Sequence, residues 1–170
     1  MRFGRIVFLS AFLTIAANAQ KISVEFDEAQ DFSDFKTFTI LPGQIHSKNP
    51  SLNNPIIMKK IEADIRKFLL AKGMEEVTKG PHDLNVRYSL GSGIRREVDH
   101  YPAGWRGYGT RTVVVNHNQE TLIIDLNWTK SRSLIWRAIA VQEKDDPLKL
   151  KDKLDDMVRK SLEKYPPKVK

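Results

Sequence analysis

No cysteine occurs in the 170 residues. Disulfide scaffolds, Cys-ligated zinc, iron–sulfur centres and thiol catalysis are therefore excluded. Without a lipobox Cys the expectation is also a protein free of a lipid anchor. Long apolar runs are missing too. The longest, Ile6 to Ala17, has twelve mostly apolar residues, short of the ~20 that a membrane helix needs. Histidine is scarce: His46, His82, His100 and His117 each fall in an expected loop or turn. None stands at H-E-x-x-H or another helical ligand spacing, so neither a metal nor a cofactor is expected. The excess of one charge is small. Basic residues number 28 and acidic ones 21, for a net +7, and the two signs interleave along most of the chain, as on an ordinary solvated surface. Nucleic acid, which demands a concentrated basic stripe, is not an expected partner.

Catalytic signatures are absent as well. Gly91-Ser92-Gly93 is not a G-x-S-x-G elbow, and Gly104, Gly107 and Gly109 do not open a helix, so they lack the geometry that cradles a phosphate. The acidic pairs Asp145-Asp146 and Asp155-Asp156 sit at a helix cap and on a polar helix face, where solvation explains them. The chain is expected not to be an enzyme.

What is present begins with a leader. Arg2 and Arg5 precede the apolar run, and Ala17-Asn18-Ala19 supplies a small-x-small cleavage pattern, the layout of a secretory signal peptide over residues 1–19. Cleavage after Ala19 would leave Gln20 first, with no transmembrane segment, in an exported protein of the periplasm or envelope.

Residues 20–170 read as one domain. Ile22, Val24 and Phe26 alternate with polar residues, a half-buried strand over 21–27. Asp31 to Phe35 is a turn-like link with two apolar anchors, and a second strand over 36–41 stops at Pro42-Gly43. Residues 42–54, rich in Pro, Asn and Ser, read as loop. Asn54-Pro55 is an N-cap followed by proline at the first helical position. Ile57, Ile61, Ile65, Phe68 and Leu69 then recur at helical spacing, with Gly73 past the end, so a helix is expected over 55–72. A short strand near 74–78 precedes a clear alternation of Leu84, Val86, Tyr88 and Leu90 over 83–90. Residues 91–110 carry five glycines and read as irregular; 112–115 reads as strand and His117-Asn118-Gln119 as a hairpin turn. Strands over 121–128 and 134–141 follow. Asp146-Pro147 repeats the cap signal before an amphipathic helix through Leu150, Leu154, Met157, Val158 and Leu162, which Pro166-Pro167 ends. The order predicts an α+β fold, an antiparallel or mixed sheet of about six to seven strands with two helices packed on one face.

Two features go beyond fold. Leu122, Ile124, Leu126 and Trp128 share one face of their strand, and Leu134, Trp136, Ala138 and Ala140 share one face of the next. Burying both sets together fixes the register, and a short turn near Ser131 places Asp125 opposite Arg137 as a structural pair. The Gly/aromatic segment 91–111 holds Arg95, Arg96, Arg106 and Arg111 with Tyr101, Trp105 and Tyr108. Exposed aromatics beside arginine anchor interfaces, so Tyr101, Trp105, Arg106 and Tyr108 are the candidate ligand-binding residues. Folding back over the sheet edge is the alternative role for these rings.

Several short motifs resemble one bacterial family. Asp31-Phe32-Ser33-Asp34-Phe35-Lys36-Thr37-Phe38, Pro81-His82-Asp83-Leu84-Asn85-Val86 and Gly104-Trp105-Arg106-Gly107-Tyr108-Gly109 are similar to segments of the domain of unknown function 4136. So are Thr121 to Leu126 followed by Leu134-Ile135-Trp136-Arg137, and the closing Tyr165-Pro166-Pro167. Glu120 and Ala138 stand where the family usually has glycine. The resemblance implies a compact envelope domain and no activity. The functional expectation is an exported, non-catalytic envelope-associated binding or structural module whose partner is an envelope polymer or envelope protein. A periplasmic or secreted enzyme acting on an envelope polymer is the alternative. Ligand identity and oligomeric state are not legible at this level.

Overall fold

The computed structural model describes residues 20–47, 50–102, 110–143 and 147–168. Seven strands form one mixed sheet: β1 (Lys21–Phe26), β2 (Thr37–Ile40), β3 (Gln44–His46), β4 (Glu75–Glu76), β5 (Leu84–Pro102), β6 (Thr110–Trp128) and β7 (Leu134–Glu143). The helices are α1 (Pro55–Ala71) and α2 (Pro147–Leu162). The strand order is β1-β7-β6-β5-β2-β4, with β3 also on β5 beyond the end of β2. The β5-β6-β7-β1 part is antiparallel, whereas β2 runs parallel to both β4 and β5, and β3 runs parallel to β5. This is the α+β fold expected from the alternation and the two capped helices.

The period-2 pattern decides which face is covered. Leu84, Val86, Tyr88 and Leu90 on β5, Leu122, Ile124 and Leu126 on β6, and Trp136, Ala138 and Ala140 on β7 are all buried. Ile57, Ile61, Ile65 and Leu69 of α1 and Leu154, Met157, Val158 and Leu162 of α2 complete the same core. Asn54 caps α1, its side chain accepting from the Ile56 and Ile57 amides at 3.0 and 3.1 Å. Arg66 of α1 grips Glu76 of β4 through Nε and Nη2 at 2.6 and 2.9 Å, tying the helix to the sheet edge. Asp146, read as the cap of α2, lies outside the described residues.

Four expectations need correction. Residues 42–54 are not all loop, since Gln44–His46 form β3. Within 91–110, residues 91–102 and Thr110 are not irregular: β5 runs on to Pro102 and β6 starts at Thr110. His117-Asn118-Gln119 is not a turn, because these residues pair with Arg95, Ile94 and Gly93 inside the β5–β6 ladder. His46, His100 and His117 accordingly lie in strands rather than loops. β3 is too short to show a period, and the β5–β6 ladder continues by backbone pairing, which needs no apolar alternation, so the sequence pattern falls silent at both places.

One glycine is required by close approach. A Cβ at Gly43, in the link between β2 and β3, would run into the Tyr88 ring. That ring is itself held from the other side, its hydroxyl donating to Glu62 Oε1 of α1 at 2.9 Å. Gly43→Ala should therefore destabilise by about 1–2 kcal/mol, the link relaxing only in part. A thermal melt checks this, and an unchanged melting temperature would show that the link shifts freely.

Candidate functional site

The sheet's second face carries the site. Its residues are the odd-numbered ones from Asn85 to Gly91 on β5, Thr121 to Asn127 on β6, Arg137 to Val141 on β7 and Lys21 to Glu25 on β1, none of which belongs to the buried core. Four charged side chains lie in one row across four strands. Glu25 pairs with Arg137, Arg137 with Asp125, and Asp125 with Arg87. The hairpin thus has the expected Asp125–Arg137 register, but Leu134 does not share the face of Trp136, Ala138 and Ala140: an irregularity after Leu126 pairs Asn127 with Leu134, leaves Leu134 exposed and buries Ile135 instead. The Arg137 guanidinium is bidentate, with Nε to Asp125 Oδ1 and Nη2 to Asp125 Oδ2 both at 2.7 Å. The hydrogen bonds to Asp125 push the Arg137 pKa up, burial opposes this, and the charges of Asp125 and Glu25 add to the rise. At 35% and 20% side-chain exposure the pair is half in water. Such a cross-strand pair stabilises by only ~0.2–1 kcal/mol. Its larger consequence is to fix the position of two charges on an open face.

A cavity of about 390 Å³ opens beside that row. It exists because the chain leaves β5 between Ile40, which pairs with Val86, and Gln44, which pairs with Ser89. Leu41, Pro42 and Gln44 form its outer wall, and Arg87, Ile123 and Asp125 its floor. Arg87 is exposed and enters no ion pair among the described residues.

The sequence motifs around Asp83 turn out to be a knot. Asp83 Oδ2 accepts from the Lys36 amide, the Thr37 amide and Thr37 Oγ1 at 3.0, 2.9 and 2.7 Å. Thr37 Oγ1 also accepts from the Asp83 amide at 2.9 Å. Upstream, Asp31 Oδ1 accepts from the Ser33 amide at 2.9 Å and caps a short 3-10 turn, Phe32–Asp34, that drives Phe32 and Phe35 into the core. The segments Asp31 to Thr37 and Pro81 to Leu84 are therefore spent on joining the starts of β2 and β5. A second polar cluster escaped the sequence reading. Glu120 is fully buried on the helix-covered face and accepts from Ser92 Oγ at 2.7 Å and Ser47 Oγ at 3.1 Å. The available signal was its parity, since Glu120 stands in line with Leu122, Ile124 and Leu126.

Of the expected ligand-binding residues, Tyr101 lies in β5 near its end. Trp105, Arg106 and Tyr108 lie outside the described residues. What is described is their approach. β7 accompanies β6 only as far as Gln119 and β3 accompanies β5 only as far as Gly91, whereas β5 and β6 stay paired up to Pro102 and Thr110. From Ile94/Asn118 onward the ladder is a two-stranded ribbon that no other described strand joins.

The family model for the domain of unknown function DUF4136 matches residues 22–167, nearly all of the described chain. The chain belongs to that family. The family is described as a domain of unknown function. No curated protein matches. Among solved structures, a PDZ domain protein from Parabacteroides distasonis is similar over 88% of the chain at 17% identity, with a TM-score of 0.57. The chain spans 35% of that protein, so the likeness is one of fold. The PelC dodecamer from Paraburkholderia phytofirmans is similar over 85% of this chain and 95% of its own, at 11% identity and a TM-score of 0.49. No helix among the described residues is long and apolar enough to cross a membrane.

Proposed function

We propose that this DUF4136 domain is an exported, non-catalytic module that attaches to an envelope polymer or an envelope protein through the end of the β5–β6 ribbon. The observation that carries the reading is the ribbon itself. Nine residue pairs, from Ile94/Asn118 to Pro102/Thr110, continue after the flanking strands have stopped. At ~3.3 Å per residue that is about 30 Å of two-stranded ladder. An isolated hairpin is marginally stable in water at best, so a ribbon of this length is an unusual investment unless a partner completes it. The segment it delivers holds Trp105, Arg106 and Tyr108, with Tyr101 beside it. Flat rings supply contact area at low entropic cost, and arginine supplies planar donors for a carboxylate or phosphate. The leader over residues 1–19 supports the exported location.

The test replaces Trp105 and Tyr108 together by Ala in the exported protein. Retention on isolated envelopes should fall at least severalfold while the melting temperature stays within a degree or two. Added salt should weaken what retention remains in the unaltered protein, since exposed charges are screened over ~8 Å at physiological ionic strength. A large drop in melting temperature would make these rings core cover and overturn the reading, as would full retention by the double variant.

A further inference from the structure

The open face repeats its own pattern in reverse. Read from β5 to β1, one row runs Arg87, Asp125, Arg137, Glu25. Its signs are plus, minus, plus, minus. The next row runs Ser89, Ile123, Ile139, Ser23: polar, apolar, apolar, polar. From this we infer that the face pairs with a second copy of this chain, sheet against sheet, about a two-fold axis lying parallel to the strands between β6 and β7.

Such an axis turns each row end for end onto itself. Arg87 then faces Glu25 of the second copy, Asp125 faces Arg137, and the reciprocal contacts follow from symmetry. Every charge in the row meets its opposite. In the neighbouring row Ile123 meets Ile139 and the serines meet each other. An axis along the rows would instead set each charge against itself, so the sign order selects one of the two face-to-face arrangements. Spacing allows it. Neighbouring strands lie about 4.8 Å apart, which places Arg87 and Glu25 roughly 7 Å from the axis. Packed sheets cross at about 30°, and at that distance the offset stays within the reach of a long side chain. The step in the sheet edge at Leu41 and Pro42 leaves the cavity beside Arg87 open, so the incoming glutamate has room. Half-buried Ile123, Ile139 and Val141 supply the apolar contact that charge alone would not. The helices keep away from this interface, since both lie on the other face.

The experiment is charge-swap complementation, read by sedimentation velocity over a range of concentrations at low salt. The unaltered protein, purified from an exporting host, should dimerise, and less tightly as salt rises. Arg87→Glu and Glu25→Arg should each weaken the dimer about tenfold or more, because each sets like charges together at both symmetric contacts. Mixing the two single variants should restore dimers, because Glu at 87 then meets Arg at 25 on one side and Glu25 meets Arg87 on the other. Both positions are exposed, and melting curves check that the variants fold. Should either swapped chain melt early, Arg87→Gln and Glu25→Gln take its place, each expected to weaken the dimer less than reversal does. A monomer at every concentration overturns the inference and leaves the face to a partner of another kind. So does a dimer indifferent to both substitutions, or a mixture no tighter than its components.

Discussion

Trp136→Ala is expected to lower the stability of the domain by about 3–5 kcal/mol. Trp136 is wholly buried near the start of β7. Its neighbours across the ladder are Leu126 and Phe26, and its ring stands edge-on to Tyr165 at 5.6 Å between centroids. Tyr165 in turn meets Phe32 at 5.9 Å, and Phe32 meets Phe35 at 6.1 Å. The indole therefore joins the sheet, the segment after α2 and the turn before β2. Truncation to Ala would open a cavity at that junction, where three elements from distant parts of the chain cannot all collapse inward. The indole N–H finds no hydrogen-bond partner among the described residues, and an unpaired buried donor costs free energy. Trp136→Phe removes that donor and keeps most of the ring, so it should cost less than half as much as Ala. Urea unfolding of the two variants measures both numbers. Equal losses would mean that the junction senses the exact ring outline rather than its volume.

Asp83→Ala should be the next most damaging change, at about 2–4 kcal/mol, since hydrogen bonds to a charged group contribute more than neutral ones and their loss leaves donors unpaired. Three donors from Lys36 and Thr37 converge on one carboxylate oxygen. Burial works against that charge, but the hydrogen bonds from the Lys36 amide and from Thr37 together outweigh it, with Lys130 adding its positive charge, and hold the Asp83 carboxyl below the usual carboxylate range. Because the folded value is lowered, the stabilisation is fully present above the unfolded pKa of about 3.9. It is lost as pH falls through the folded value. The gap in melting temperature between the unaltered protein and Asp83→Asn should thus be constant from neutral pH down to about 5 and should close in stronger acid. A gap that persists unchanged at pH 2 would show that the carboxylate's charge contributes nothing.

Both helices, the β6–β7 register and the covered face of the sheet were legible in the residues, each for a local reason. Asn54-Pro55 marks a helix start within two residues, and Leu122 to Trp136 fix a register because slipping by one would turn Trp136 to water. The parts that escaped notice depend on distant partners. β3 is three residues long, too short to show a period, and exists because Ile45 finds Leu90. The outer ribbon exists because β5 and β6 continue to pair, and its mixed polarity, with glycines on either side of it, looks like a loop when read one strand at a time. The open face was half legible. Asp125 and Arg137 could be paired from the hairpin alone, but the full row appears only once β1 is set against β7 and β5 against β6. Glu25 and Arg87 are 62 residues apart in the sequence, and no local pattern connects them.

The β1–β7 pairing has a consequence in time. Among the described strands β1 is the first to be synthesised, and its one partner there is the last. Lys21 must wait for Val141. The antiparallel β5-β6-β7 meander closes through short connections and can assemble early, whereas β1 docks only after the largest loop closure in the sheet. Until then its backbone amides and carbonyls form an unclaimed edge, open to capture by any other extended chain. Lys21 and Glu25, both exposed, place a charge near each end of that strand. They are an inexpensive guard for an edge that stays single through most of the molecule's synthesis.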